Sequence, residues 1–429
     1  MSTLPESPSA ENLGAVLRAR GATRLLRSLV VRQLDKLTTG RIILKEGVES
    51  RRLGRPDEQE LRCELTVHDP RFYADVVLGG SIGAAEAYMA GYWSVDDLTT
   101  LIRILARDTC LNGQIDGGLA RVKLLLLRVW YRLRDNTRSG SRRNIAGHYD
   151  LGNAFFESFL DPTMTYSCGI FETPSASLEQ ASILKNDLIC RKLSLGPGEE
   201  VLEIGTGWGE WAVHAARHYG CRVVTTTISR NQHEYAVRRV RDAGLEDRIV
   251  LLREDYRDLS RRLGRRFDKL VSVEMVEAVG HQHLEDYFRA CADLLKPEGS
   301  MLLQSITIAD QQYEAYRRSV DFIQRYIFPG GCVPSLTALC RAMTRASDLR
   351  VAHLQDITTH YATTLCRWRE NFRASRRRID ELGFPEEFRR MWEFYLCYSE
   401  GGFLERAIGD VQLLLTRPLA GVPDRVPQT

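Results

Sequence analysis

Between residues 146 and about 310, five short apolar runs alternate with stretches of helical periodicity: EEVLEIG, CRVVTTTI, DRIVLLRED, FDKLVSVEM and GSMLLQSIT. Runs this continuous belong to strands buried on both faces, and strands separated by helices assemble into a parallel sheet with helices on either side. The pattern predicts an α/β fold with a doubly wound sheet, whose ligand crevice lies at the carboxyl ends of the strands. At 429 residues the chain is too long for that sheet alone. It divides into a polar tail (1–24), a small N-terminal α+β domain (25–110), a basic helical linker (111–145), the α/β domain with helical additions (146–415) and a C-terminal tail (416–429). In the α+β domain a helix is expected over Leu25–Leu37. Strands follow in RIILKEG and ELRCELTVHD with a turn between them, then the glycine-punctuated stretch GGSIGAAEAYMAGYW. From Asp310 to about 415 the reading is mostly helical.

Charge narrows the function classes. The 59 Lys and Arg against 56 Asp and Glu leave +3, which excludes a globally basic nucleic-acid protein. A local cationic surface is present in LARVKLLLLRVWYRLRDNTRSGSRRN. There Leu119, Val122, Leu125, Leu126, Val129, Trp130 and Leu133 share a helical face, Arg121, Arg128 and Arg132 fall on another, and Arg134, Arg138, Arg142 and Arg143 extend the basic run. Such a helix either lies on an anionic membrane surface or packs its leucine stripe on protein. No apolar run approaches the roughly 20 residues that span a bilayer. The start, MSTLPESPSAENLG, does not read as a signal peptide. Ten scattered cysteines with no CxxC pair read as reduced thiols, and no metal site is expected. These features describe a cytoplasmic protein.

The sharpest local signal is VLEIGTGWGEWAVHAARHYG. An apolar strand runs into Gly205, Gly207 and Gly209 and then into a helix, with Trp208 inside the loop. Glycines let the backbone turn tightly and approach a ligand where a Cβ would clash. The G-x-G-x-G spacing is neither the dinucleotide fingerprint nor a P-loop. It suits a ligand without a pyrophosphate, above all S-adenosylmethionine, against the alternative of a structural glycine cluster. Asp255 follows the third strand, where a carboxylate could accept from an adenine amine. The second strand, VVTTTIS, lacks the acidic residue that commonly holds ribose hydroxyls.

Six ordered blocks make the chain recognisable: HYDLGNAFFESFLDPTMTYSCGIF (148–171), VLEIGTGWGEWA, TTISRNQ (226–232), SVEMVEAVGHQHLEDYF (272–288), YIFPGGCVPS (326–335) and HYATTLCRWRENF (360–372). Together with GGSIGAAEAYMAGYW they resemble the cyclopropane-fatty-acid synthase family over roughly residues 25–415. The resemblance implies a class I methyltransferase (Rossmann-like) fold and S-adenosylmethionine as methyl donor. It implies unsaturated phospholipid acyl chains as substrate, peripheral attachment to the anionic inner face of the cytoplasmic membrane, and a homodimer; no nucleic acid enters. Tyr166, Ser167, Thr227, Ile228, Ser229, Gln232, Asp255 and Tyr256 then join Gly205, Gly207, Trp208 and Gly209 around the cofactor.

An alkene is a weak nucleophile, so the chemistry needs a sulfonium methyl, and its product is a carbocation that an aqueous site would quench. Ring closure needs a base for a proton of the new methyl group. In the family this base is a bound bicarbonate ion, and the positions that hold it fall on Cys168, Glu277, Gln304, Ile306 and Tyr361. Gln304 departs from the family's histidine; an amide donates but does not titrate. That departure leaves open methyl or methylene addition without ring closure. A non-catalytic lipid-binding relative is a further alternative.

Overall fold

The computed structural model describes residues 10–56, 61–112, 151–421 and 427. The basic amphipathic stretch at 119–143 lies outside them. The chain forms two compact units, one of residues 1–127 with Glu386–Phe394 and one of residues 128–385 with 395–429.

The first unit contains helix α1 (Ala10–Leu34), strands β1 (Gly40–Glu46), β2 (Glu49–Arg55) and β3 (Arg62–Val67), helix α2 (Arg71–Met89), strand β4 (Trp93–Val95) and helix α3 (Leu98–Asn112). The strands form a sheet in the order β2-β1-β3-β4. Two elements differ from expectation. Helix α1 starts at Ala10, inside the segment read as a tail. β2 occupies a segment read as a turn, because ESRRLGR is an edge strand that buries only Leu53 and so lacks apolar alternation. In α2, Gly80 takes φ 59°, which interrupts the helix and accounts for the glycine punctuation.

The second unit carries the predicted sheet. Strands β5 (Glu200–Ile204), β6 (Arg222–Thr226), β7 (Ile249–Leu252), β8 (Phe267–Val273) and β9 (Leu295–Ile308) match the five apolar runs. Two further strands, β10 (Arg350–Asp356) and β11 (Ile408–Thr416), fall in the region read as helical. The order is β10-β11-β9-β8-β5-β6-β7. β5 to β9 pair in parallel, whereas β11 runs antiparallel between β9 and β10. The surrounding helices are α4 (Leu178–Lys192), α5 (Glu210–Tyr219), α6 (Arg230–Asp242), α7 (Tyr256–Leu263), α8 (Leu284–Leu294), α9 (Leu336–Ala346) and α10 (Thr358–Ala374). Alternate residues of the strands feed two buried cores, one on each sheet face: Leu202, Leu270, Met301, Leu303 and Leu413 on one, Val201, Val271, Leu302 and Leu414 on the other. No helix among the described residues is long and apolar enough to cross a membrane.

Candidate active site

The glycine turn forms as its spacing predicts. After β5, Gly205, Gly207 and Gly209 take φ of 105°, 53° and 88°, and Gly209 opens α5. The amides of Gly205 and Thr206 both donate to the Thr226 carbonyl at 3.1 Å, which folds the turn onto the end of β6. A Cβ on Gly207 would meet no atom within 4 Å, so that side of the turn is open space. A Cβ on Gly205 would touch the Met275 side chain at 3.4 Å, which places the turn against the residues that follow β8. A left-handed glycine with open space beside it, just before the start of a helix, fits a ligand that approaches the backbone closely.

Around this turn, Trp208 donates from Nε1 to Asn153 Oδ1 at 2.9 Å and packs on Phe156. Thr227 Oγ1 donates to Gln232 Oε1 at 2.9 Å, and Ser229 caps α6 by accepting from the Gln232 amide. Ile228, between them, is partly exposed. Asp255 caps α7 through the Arg257 amide and also pairs with the Arg257 guanidinium at 2.6 Å, so its carboxylate is already engaged. Tyr256 begins α7 and packs edge-on against Tyr287. Tyr166 and Tyr395 share a hydroxyl hydrogen bond of 2.9 Å. Ser167 Oγ accepts from the buried Lys185 ammonium at 3.2 Å. Below the turn, Glu203 is buried and its carboxyl is pushed up to about 8 by desolvation, against the pull of a hydrogen bond from Thr225.

Three of the five expected base-site residues, Cys168, Gln304 and Tyr361, come together, but around a residue that sequence reasoning passed over. Tyr361 donates from its phenol to Glu274 Oε2 at 2.5 Å. The Cys168 amide donates to Glu274 Oε1 at 2.9 Å, and Gln304 Nε2 to the same oxygen at 2.7 Å. Glu277 sits apart, its Oε1 accepting from the Ile306 amide at 2.5 Å and from Ser305 Oγ at 3.0 Å. Three of the five groups expected to hold bicarbonate therefore already bind a protein carboxylate. The donor set does not fit an additional anion.

Burial governs protonation here. Desolvation raises the Glu274 carboxyl, against the stabilising hydrogen bonds from Tyr361, Cys168 and Gln304. It pushes Glu277 up to about 8, with the Glu274 charge adding to the effect. Asp410, on β11, is raised well above the usual range by desolvation and then by Glu274 and Glu277, and it also hydrogen-bonds Glu274. Two carboxyls in hydrogen-bond contact cannot both ionise cheaply, so Glu274 and Asp410 titrate as a pair that shares a proton. Burial likewise lifts the Cys168 thiol far from ionisation.

The orientation of Gln304 is set from a distance. The Lys192 ammonium can only donate, so it fixes Gln412 Oε1 as the acceptor at 2.6 Å. Gln412 Nε2 then donates to Gln304 Oε1 at 2.9 Å, across the β9–β11 register pair. Gln304 Nε2 is left facing the carboxylates, 2.7 Å from Glu274 and 3.1 Å from Asp410. A histidine could not extend this amide chain in the same way, so Gln304 is consistent with its surroundings.

Backbone geometry also marks Glu274. It follows β8 at φ 45°, a left-handed conformation that costs a side-chain-bearing residue about 1–2 kcal/mol, and its amide donates to the Gln304 carbonyl. The signal was present in SVEMVE, where two glutamates stand three residues apart, but strain at the first is invisible in sequence. Asp410 and Gln412 escaped notice because their strand was read as helix.

Aromatic rings complete the surroundings. Phe403 stacks on Tyr361 with ring centres 4.3 Å apart, Trp368 lies 5.2 Å from Tyr166, and Phe328 lies 6.2 Å from Tyr395. Among the described residues no group of His, Cys, Asp and Glu is arranged to hold a metal.

A profile of the family described as mycolic acid cyclopropane synthetase matches residues 136–413. The chain belongs to this family. It is 40% identical over 349 residues to the tuberculostearic acid methyltransferase UfaA1 of Mycobacterium tuberculosis, covering 79% of both chains. It is 36% identical over 358 residues to the cyclopropane-fatty-acyl-phospholipid synthase of Escherichia coli, covering 83% of this chain and 88% of that one. The mycolic acid cyclopropane synthase CmaA1, solved in complex with SAH and CTAB, superposes with a TM-score of 0.60 at 31% identity, over 64% of this chain and 98% of that one. As a family member with the class I methyltransferase fold, the chain is an S-adenosylmethionine-dependent methyltransferase. The glycine turn is the part of the site that fits this cofactor.

Proposed function

We propose that the protein transfers a methyl group to a cis double bond in an unsaturated phospholipid acyl chain and closes a cyclopropane ring. The observation that carries this reading is a set of buried carboxyls next to a methyltransferase glycine turn, among aromatic rings. When bound, S-adenosylmethionine supplies an electrophilic methyl that the alkene can attack. Gly205, Gly207 and Gly209 admit the cofactor to the backbone, and Tyr166, Ser167, Trp208, Thr227, Ile228, Ser229, Gln232, Asp255 and Tyr256 are assigned to its surroundings. Tyr166, Phe328, Tyr361 and Trp368 exclude water and present ring faces that tolerate a developing cation. The carboxyls accept the proton that ring closure releases. Bicarbonate has no part in this reading, because its expected donors are committed to Glu274.

Peripheral attachment to the anionic inner face of the cytoplasmic membrane belongs to the same reading, supported by the basic run at 119–143. A second product is favoured by the name of the relative at 40% identity, a methyltransferase rather than a cyclopropane synthase. In that case a 1,2-hydride shift first moves the cation to the methyl-bearing carbon, which then loses a methyl proton to give a methylene branch. The test is incubation with S-adenosylmethionine and vesicles of mono-unsaturated phospholipid, followed by mass spectrometry and proton NMR of the acyl chains. Gain of one CH2 with loss of all alkene signals supports ring closure. Gain of one CH2 with retained unsaturation favours the branched product, and no gain despite bound cofactor overturns the reading.

A further inference from the structure

We propose that Glu274 is the chain's own catalytic base and replaces the bicarbonate ion that the family resemblance implied. The proposal rests on the reading of the reaction above and holds for either product, since each requires one proton to leave the transferred methyl. In the step itself a C–H bond of that methyl breaks. Its electron pair forms the closing C–C bond or, once a 1,2-hydride shift has moved the cation to the methyl-bearing carbon, the methylene double bond, and its proton passes to a Glu274 oxygen before release to water.

Position is the first argument. Glu274 draws together the Tyr361 phenol, the Cys168 amide and the Gln304 amide, which are donors suited to a small oxyanion. A carboxylate and a bicarbonate present the same pair of oxygens to such donors, and one occupant excludes the other.

Cost is the second. The chain holds a side-chain-bearing residue at a φ that glycine adopts freely and places its carboxyl where burial opposes charge. A glycine would adopt this φ with less strain. Strain of this kind concentrates where function demands a fixed group.

Access is the third. Glu274 keeps partial exposure, whereas Asp410 beside it is fully buried. The two divide the labour: Asp410 retains the shared proton, and Glu274, whose Oε2 accepts from Tyr361, takes up the reacting one. The groups that face Glu274 are Lys185 from α4, the Cys168 thiol, Glu277 after β8, Gln304 from β9, Tyr361 from α10 and Asp410 from β11.

The experiment uses the full chain with S-adenosylmethionine and mono-unsaturated phospholipid vesicles, in buffer purged of carbon dioxide and with bicarbonate restored. Wild-type turnover should be unchanged by bicarbonate, and 13C NMR of labelled bicarbonate should show no binding. Glu274→Gly suits the backbone and should fold. It should lose about 100-fold or more in kcat without bicarbonate, keep cofactor affinity within about threefold by calorimetry, and bind labelled bicarbonate with partial recovery of turnover. Glu274→Gln should lose as much without recovery, because its amide still fills the space. Bicarbonate-dependent wild-type turnover, bicarbonate bound by the wild type, or full activity of Glu274→Gly in purged buffer would each overturn the proposal while leaving the reaction intact. Absence of any wild-type product with cofactor bound would overturn the reaction as well.

Discussion

On the β5–β6 side of the sheet the site is made of backbone: three left-handed glycines, two amides folded onto the Thr226 carbonyl, and helix caps supplied by Ser229 and Asp255. On the β9–β11 side it is made of buried side chains: Glu274, Glu277, Asp410, Gln304 and Gln412, oriented by Lys192. The first side is proposed to bind a cofactor of fixed shape, which a rigid turn can do at little electrostatic cost. The second must hold charge in an apolar place, and there each group depends on its neighbours for orientation and protonation. Damage to the first side should therefore appear in binding, and damage to the second in turnover.

The largest separation is expected from Gly207→Val. A branched side chain at φ 53° both strains the turn and fills the open space beside it, so cofactor affinity by calorimetry should fall by about 100-fold or more. Near-normal affinity would remove the turn from the cofactor site. Next is Lys192→Met, on the other side. It leaves Gln412 Oε1 without its donor and frees both amides to flip, which should cost about 1–3 kcal/mol in denaturant unfolding. A roughly tenfold loss of kcat with unchanged cofactor affinity should accompany it. If affinity falls and kcat holds, the two sides are not separable as described.

The smallest effect should come from Glu203→Gln. Burial raises this carboxyl from 4.5 to about 8, so between those values the folded protein keeps a proton that the unfolded chain has released. Its stabilising contribution is complete below about 4.5 and is lost as pH rises through 8. Thermal unfolding followed from pH 5 to 9 should therefore decline less steeply in the variant. An unchanged slope would mean that Glu203 is not held protonated.

This division also decided what could be read from the sequence. The cofactor side is local: the strand, the three glycines and the helix of 201–220 are contiguous, and their spacing alone carries the geometry. The base side joins residues from Cys168 to Gln412 through strand register. Glu277 and Tyr361 were found through the family blocks, but Glu274 was not. Its part depends on a φ angle and on three donors that converge only when β8, β9 and α10 are in place. β11 was missed for a related reason. IGDVQLLLT reads as an apolar stretch with polar interruptions, yet Asp410 and Gln412 are the interior of the site rather than breaks in a helix.

The antiparallel strand has one more effect, on the order in which the enzyme is built during synthesis. The three glycines and the two strands they join are translated by Thr226, whereas β11 is among the last elements translated. Until it inserts between β9 and β10, Gln304 has no Gln412 to hold it and Glu274 has no Asp410 to share a proton. A nascent or C-terminally clipped chain thus holds the residues of the glycine turn before its buried carboxyl cluster is whole, and on the proposed reading the base is the last part of the site to be assembled.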